Sequence, residues 1–168
     1  ESLDPSWTYE TRGSAVETNI YEGLVYFDRE KTQEFVPVLS TGWEVNDTGD
    51  QWTFDIREGV TFHEGGTLEP HDVAYSLQRG LLQDRIDGPH WMTLEAFFGL
   101  YTIEDLAIGT YAEAQGIDPE SDEFAELTFD QVDDAALVAT CELVKGAVVA
   151  DDEAGTVTYN LANPTPWF

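Results

Sequence analysis

The 168-residue chain is 42% hydrophobic and 12% aromatic, enough for one domain with a core and too apolar to stay disordered. Its 34 Asp and Glu stand against 7 Lys and Arg, a net charge of −27, which excludes nucleic acid as a partner because phosphate contacts need Lys and Arg. Cys141 is the only cysteine, so no internal disulfide forms, and no apolar run approaches the ~20 residues of a membrane span.

In chain order, Ser2-Leu3-Asp4-Pro5-Ser6-Trp7 reads as an extended, proline-limited opening. Val16 and Ile20, four apart, predict a short helix over Ser14 to Tyr21, and Leu24-Val25-Tyr26-Phe27 predicts a short strand. Asp28 to Glu34 reads as a polar turn, and Phe35-Val36-Pro37-Val38-Leu39 leads into the most ordered stretch, Gly42 to Leu82. There Trp43, Val45, Trp52, Phe54, Ile56, Val60 and Phe62 alternate around a turn cluster, predicting two strands joined by a loop and then a third extended run. Gly65-Gly66 breaks the pattern. A helix is predicted from Pro70, with Asp72 in its first turn and Val73, Leu77 and Leu81 on one face.

Asp87-Gly88-Pro89 marks a turn before the aromatic-rich segment His90 to Tyr101. Residues 103–140 read as helical and acidic, interrupted from Gly116 to Asp122. A further helix is predicted from Thr128 or Asp130, with Val132, Ala136, Ala139 and Leu143 as its apolar stripe and Gly146 as its stop. Cys141 in that run is expected to be a small buried residue. Val148-Val149 and Thr156 to Leu161 are predicted strands about an Asp-Asp-Glu-Ala-Gly turn, before Asn163-Pro164-Thr165-Pro166-Trp167-Phe168. Strands, then helices, then strands predict an α+β domain with a small mixed, largely antiparallel sheet and packed helices.

The carboxylates are scattered through every segment instead of gathered in one block. Scatter predicts adaptation to molar salt, where the Debye length falls to ~3 Å at 1 M, over a binder of cations or basic partners. Glu1 is not an initiator methionine, and Trp167-Phe168 makes an unusual end, so the chain is expected to be processed or cut from something longer.

Catalytic and metal chemistry find little support. His63-Glu64 and His71-Asp72 invite a metal reading, but there is no His-Glu-x-x-His, and eight residues across two Gly and a Pro fix no common face. No metal and no cofactor are expected. Paired carboxylates arise by chance in so acidic a chain, no lysine accompanies Gly65-Gly66, and no serine sits in a Gly-x-Ser-x-Gly frame. Trp43, Trp52, Phe54, Phe62 and Tyr75 are expected in the core. Trp7, Tyr9, His90 and Trp91, in irregular or turn contexts, are the aromatics suited to lining a cleft.

Gly42-Trp43-Glu44, then Trp52 through Gly65, then Asp72-Val73-Ala74-Tyr75-Ser76-Leu77, resembles the signature of the peptide- and nickel-type solute-binding proteins of ABC importers, the extracellular solute-binding family 5. Leu3-Asp4-Pro5 with Tyr21-Glu22-Gly23-Leu24, and Thr158-Tyr159-Asn160-Leu161 with Asn163 to Phe168, agree in order. Glu69-Pro70 stands where that family has a capping Thr. The resemblance, to a halophilic archaeal type, implies the inserted lobe of a periplasmic-binding-protein-like (type II) fold. Residues 1–21 would be the N-terminal opening segment of the large lobe, and 22–168 the small inserted lobe, with an acidic helical insertion at about 100–146.

It further implies a non-enzymatic, substrate-binding component of an ABC importer. Such a protein captures oligopeptide or dipeptide solutes outside the cell and delivers them to permease subunits at the membrane, held there by a lipid anchor outside this chain. Alternatives are a nickel-complex or oligosaccharide binder of the same fold and, from another class, a metal-dependent hydrolase. In peptide-binding members the loop after Leu-Asp-Pro pairs its backbone with an extended ligand, which points to Tyr9, Glu10 and Thr11. An aromatic near the turn after the first helix of the small lobe points to His90 and Trp91.

Overall fold

A computed structural model describes residues 2–29, 31–83 and 88–164. The N-terminal segment runs into α1 (Thr11–Ile20) and a hairpin of β1 (Val25–Asp28) and β2 (Lys31–Pro37). A four-stranded antiparallel sheet follows, built from β3 (Ser40–Val45), β4 (Gln51–Ile56), β5 (Val148–Asp151) and β6 (Thr156–Asn160) in the order β3-β4-β6-β5. The helices α2 (Pro70–Gln83), α3 (His90–Phe98), α4 (Ile103–Gln115), α5 (Asp122–Ala125) and α6 (Asp134–Ala147) lie between β4 and β5 in sequence. The α+β, antiparallel architecture expected from the element order is therefore present.

The β3-β4 hairpin forms because its sequence alternates around a self-capping turn. Asn46 Oδ1 accepts the N–H groups of Gly49, Asp50 and Gln51 at 2.9, 3.1 and 3.1 Å, and Gly49 takes the left-handed conformation at φ 77°. The register sets Trp43 opposite Phe54 and Val45 opposite Trp52. β4 then pairs with β6, Phe54 opposite Val157 and Trp52 opposite Tyr159. Phe54, Ile56, Val157 and Tyr159 share the buried face, with Phe54 and Phe97 rings 5.2 and 5.6 Å from that of Tyr159. Leu81, Leu94, Val144 and Val148 complete the core from the helical side and from β5. Burial of each such side chain contributes roughly 1.5–3 kcal/mol.

Among the described residues, three of the six helix starts follow ordinary capping chemistry. Thr102, Ser121 and Asp133 accept from the third residue of α4, α5 and α6. At α2, Glu69 does not cap with its side chain; instead Asp72 reaches back to accept the Glu69 N–H at 2.9 Å, half of a capping box.

Several expectations are corrected. The polar run predicted as a turn begins β2 at Lys31, whose ammonium reaches Asp28 at 3.1 Å and Glu34 at 2.7 Å. The third extended run is a loop closed by one bridge, Thr61 to Thr67. Phe62 and Tyr75 are 49% and 63% exposed, not core; Tyr75 sits off the α2 face that buries Ala74 and Leu81. On α6 the buried residues are Ala136, Thr140, Val144 and Ala147, while Leu143 is exposed. Thr140 enters the interior because its hydroxyl donates to the Ala136 carbonyl at 2.8 Å. Cys141 is half-buried, and Gly146 lies within α6, which continues to Ala147 and passes directly into β5. Asp87, expected in a turn, and residues 165–168, expected to close the chain, lie outside the described residues.

Candidate functional site

The first ten residues fold around Asp4. Its backbone carbonyl accepts the N–H groups of Trp7 and Thr8 at 2.8 and 3.0 Å, and its Oδ1 accepts the Ser6 N–H at 3.0 Å. The Thr8 hydroxyl donates to Ser2 O at 2.8 Å. Ser6 and Thr8 are thereby buried although polar. Arg79 of α2 closes on the carboxylate as a fork, Nη1 to Oδ1 at 3.0 Å and Nη2 to Oδ2 at 2.5 Å. This guanidinium, with the Ser6 N–H in support, holds the Asp4 carboxyl at about 2 against the opposing pull of burial.

The chain leaves this knot extended. Glu10 has φ −119° and ψ 148° as N-cap of α1 and makes no side-chain cap bond. Tyr9 and Glu10 are exposed, and Thr11 opens the helix on the exposed side. Among the described residues no hydrogen bond engages the backbone of Tyr9, and the first N–H groups of α1 lack a side-chain acceptor. This short segment thus presents main-chain donors and acceptors to solvent.

His90 and Trp91 begin α3 but diverge. The His90 ring is half-buried against α2: a Cβ on Gly80 would lie 2.3 Å from its Cε1 and Nε2. Its Nδ1 is 3.0 Å from Thr93 Oγ1. Trp91 is exposed and pairs with Tyr101, the ring centres 6.4 Å apart. The Tyr101 hydroxyl donates to Glu95 at 3.0 Å, and that carboxylate raises the phenol above its ordinary range.

A cavity of ≈ 960 Å³ lies between the segment Thr18 to Leu24, the loop Val60 to His63 and the α2 face at Asp72, Val73, Ser76 and Leu77. Its wall includes His90, Ser6 and the ring of Tyr159, whose phenol burial pushes well up. Of the five candidate residues only His90 lines it; Tyr9, Glu10, Thr11 and Trp91 lie elsewhere on the surface. Sequence reading placed Glu22 in the family-like opening, His63 in a rejected metal pair and Asp72 in the first turn of α2, and no spacing rule joins positions so far apart. His63 and His71 are not brought together, since His71 turns to Asp152. Among the described residues no three His, Cys, Asp or Glu are placed to hold a metal ion.

The sequence model of the bacterial extracellular solute-binding proteins, family 5 (middle), matches residues 34–168. The chain is 33% identical over 86 residues to the dipeptide-binding protein of Pseudomonas aeruginosa, covering 47% of this chain and 16% of that protein. It is 35% identical over 77 residues to heme-binding protein A of Haemophilus influenzae, covering 42% and 14%. Among solved structures, the substrate-binding domain of an oligopeptide ABC transporter from Bacillus anthracis aligns over 99% of this chain and 25% of its own, with 19% identity and a TM-score of 0.56. The pheromone receptor PrgZ aligns over 100% and 26%, with 20% identity and a TM-score of 0.63. These two likenesses establish a shared fold. The chain spans 16% or less of the length of those curated relatives.

Proposed function

The chain belongs to the bacterial extracellular solute-binding proteins of family 5, and from that premise we propose that it forms part of the substrate-binding component of an ABC importer for peptide-like solutes. It acts by binding, without chemistry on the solute. The protein works at the outer face of the cell membrane, lipid-anchored, and hands its solute to permease subunits. Residues 1–21 belong to the large lobe and 22–168 to the small lobe, with the acidic helices of about 100–146 as an insertion.

The observation that carries the peptide reading is the exposed stretch Tyr9, Glu10 and Thr11, where the Tyr9 main chain and the first N–H groups of α1 have no partner among the described residues, while the Glu10 carbonyl is taken by the Ser14 N–H at 3.0 Å. A solute recognised there is held by strand-like pairing of backbone to backbone, which tolerates many side-chain sequences. Trp91, exposed beside Tyr101, offers an aromatic surface to a ligand side chain. His90 acts by fixing the start of α3 against α2 and by walling the cavity.

The test is an amide NMR titration of the chain in molar salt with trialanine, nickel–histidine complex and maltotriose. Trialanine is expected to shift the amides of Tyr9, Glu10 and Thr11 with millimolar affinity. Shifts confined to the nickel complex or to the sugar would assign the alternative solute class.

A further inference from the structure

We propose that Asp4 and Arg79 are positioning residues: their pairing fixes the course of the Tyr9–Thr11 backbone, and with it how that segment meets an extended ligand. The proposal rests on the reading of Tyr9, Glu10 and Thr11 as ligand-facing.

Asp4 is used at every acceptor. Its two carboxylate oxygens take the Arg79 fork, one of them also takes the Ser6 N–H, and its carbonyl takes Trp7, Thr8 and the Thr8 hydroxyl. Arg79 Nη1 is also 3.0 Å from Ser6 Oγ. Arg79 itself stands on α2, whose Ala74 and Leu81 are in the core. The position of the opening segment is therefore referenced to the rigid interior. At the far end, Thr8 closes over Gly13, where a Cβ would lie 2.3 Å from the Thr8 methyl. Trp7 Nε1 adds a bond to Gln83 Oε1 at 3.0 Å, on the same helix as Arg79.

Tyr9, Glu10 and Thr11 are thus a three-residue span held at both ends. The span is exposed, so the lock adds little core burial; what it fixes is the direction in which main-chain groups point. That is the property strand-like pairing requires, since its hydrogen bonds weaken steeply with misalignment. Arginine is needed for this, because a planar fork defines an orientation and a lysine point charge does not. The chain has only 7 Lys and Arg, and one is committed here. A partly buried bidentate pair also keeps its strength in salt better than an exposed one.

The experiment compares trialanine with its backbone N-methylated form by amide NMR titration on the wild-type chain and on Arg79→Lys, Asp4→Asn and Leu81→Ala. In the wild type, N-methylation is expected to weaken binding about tenfold, the order of one lost hydrogen bond. In Arg79→Lys and Asp4→Asn that penalty falls below about threefold, while Leu81→Ala lowers stability and leaves the penalty intact. A penalty unchanged in both polar variants overturns the proposal. Absence of any penalty in the wild type overturns the peptide reading instead. The lock is then judged by backbone order parameters of Tyr9–Thr11, which are expected to fall from about 0.85 to below about 0.6 in Arg79→Lys with α2 unchanged. Unaltered order parameters would refute it.

Discussion

Asp152 receives two hydrogen bonds from His71, the backbone N–H on Oδ1 at 3.0 Å and the ring Nδ1 on Oδ2 at 2.8 Å. The pair joins the first turn of α2 to the turn between β5 and β6. Asp72 lies 3.7 Å from the other ring nitrogen, and Glu69 adds to the negative field. The hydrogen bond to Asp152, reinforced by these charges, raises His71 above its ordinary 6.5 and lowers Asp152. A raised folded value means the contribution is present below pH 6.5 and lost as pH rises through the folded value. Both groups are exposed, so the effect is best read on the residue itself. In an NMR titration His71 is expected to titrate above 6.5, and Asp152→Asn to move its midpoint down. An identical midpoint in the variant would show that the pair does not form in solution.

The elements legible in the sequence are those governed by local rules. The β3-β4 hairpin shows as strict alternation around Asn46–Asp50, and α2 as a Pro start with apolar residues four apart. What escaped depends on partners distant in sequence. Nothing local reveals which face of an aromatic is covered, so Phe62 and Tyr75 read like Phe54 yet lie outside. Thr140 reads as polar until its hydroxyl is seen to serve its own helix. Arg79 and Asp4 are 75 positions apart, and His71 and Asp152 are 81 apart; only the fold joins them. For the candidate site, a family likeness named Tyr9, Glu10, Thr11, His90 and Trp91, whereas the geometry separates His90, at the cavity wall, from the other four.

Gly80 is required by its neighbour. The His90 ring occupies the place of a Cβ there, at 2.3 Å, so Gly80→Ala is expected to destabilise the fold by about 1–3 kcal/mol through overpacking. In a His90→Ala background the same change is expected to stabilise by up to ~1 kcal/mol, because alanine is the better helix former. Denaturant midpoints of the four proteins in molar salt form the cycle. Additive effects would mean that the two helices do not meet at this point.

Acid should release the opening segment before it unfolds the rest. Asp4 has a folded value of about 2 against an ordinary 3.8. Its contribution is therefore present above pH 3.8 and lost as pH falls toward 2. The shift corresponds to about 2 kcal/mol. Asp4→Asn is expected to cost that amount at neutral pH, with the gap shrinking as pH falls through about 2 and closing below it, where the wild-type carboxyl is protonated and carries the same charge as the variant. Urea midpoints across the range decide it, and a constant gap at all pH values would contradict the assigned cause.

The surface charge argues for dependence on salt. With 34 acidic and 7 basic side chains, few carboxylates have a cation. Lys31 serves Asp28 and Glu34, Lys145 serves Glu142, and Arg79 serves Asp4. The last turns of α2, α3 and α4 carry no basic residue to meet the negative end of the helix dipole. Two like charges 7 Å apart in water repel by roughly 0.6 kcal/mol, and at about 0.01 M salt, where the Debye length is ~30 Å, such terms accumulate across the whole surface. Against a typical folding stability of about 5–15 kcal/mol, a modest number of them is decisive. Circular dichroism of the chain is expected to show full helix in molar KCl and cooperative loss on dialysis to about 0.01 M, reversed on returning the salt. A helical signal that persists at low salt would refute the adaptation to high salt, and the charge would then need a cationic partner to explain it.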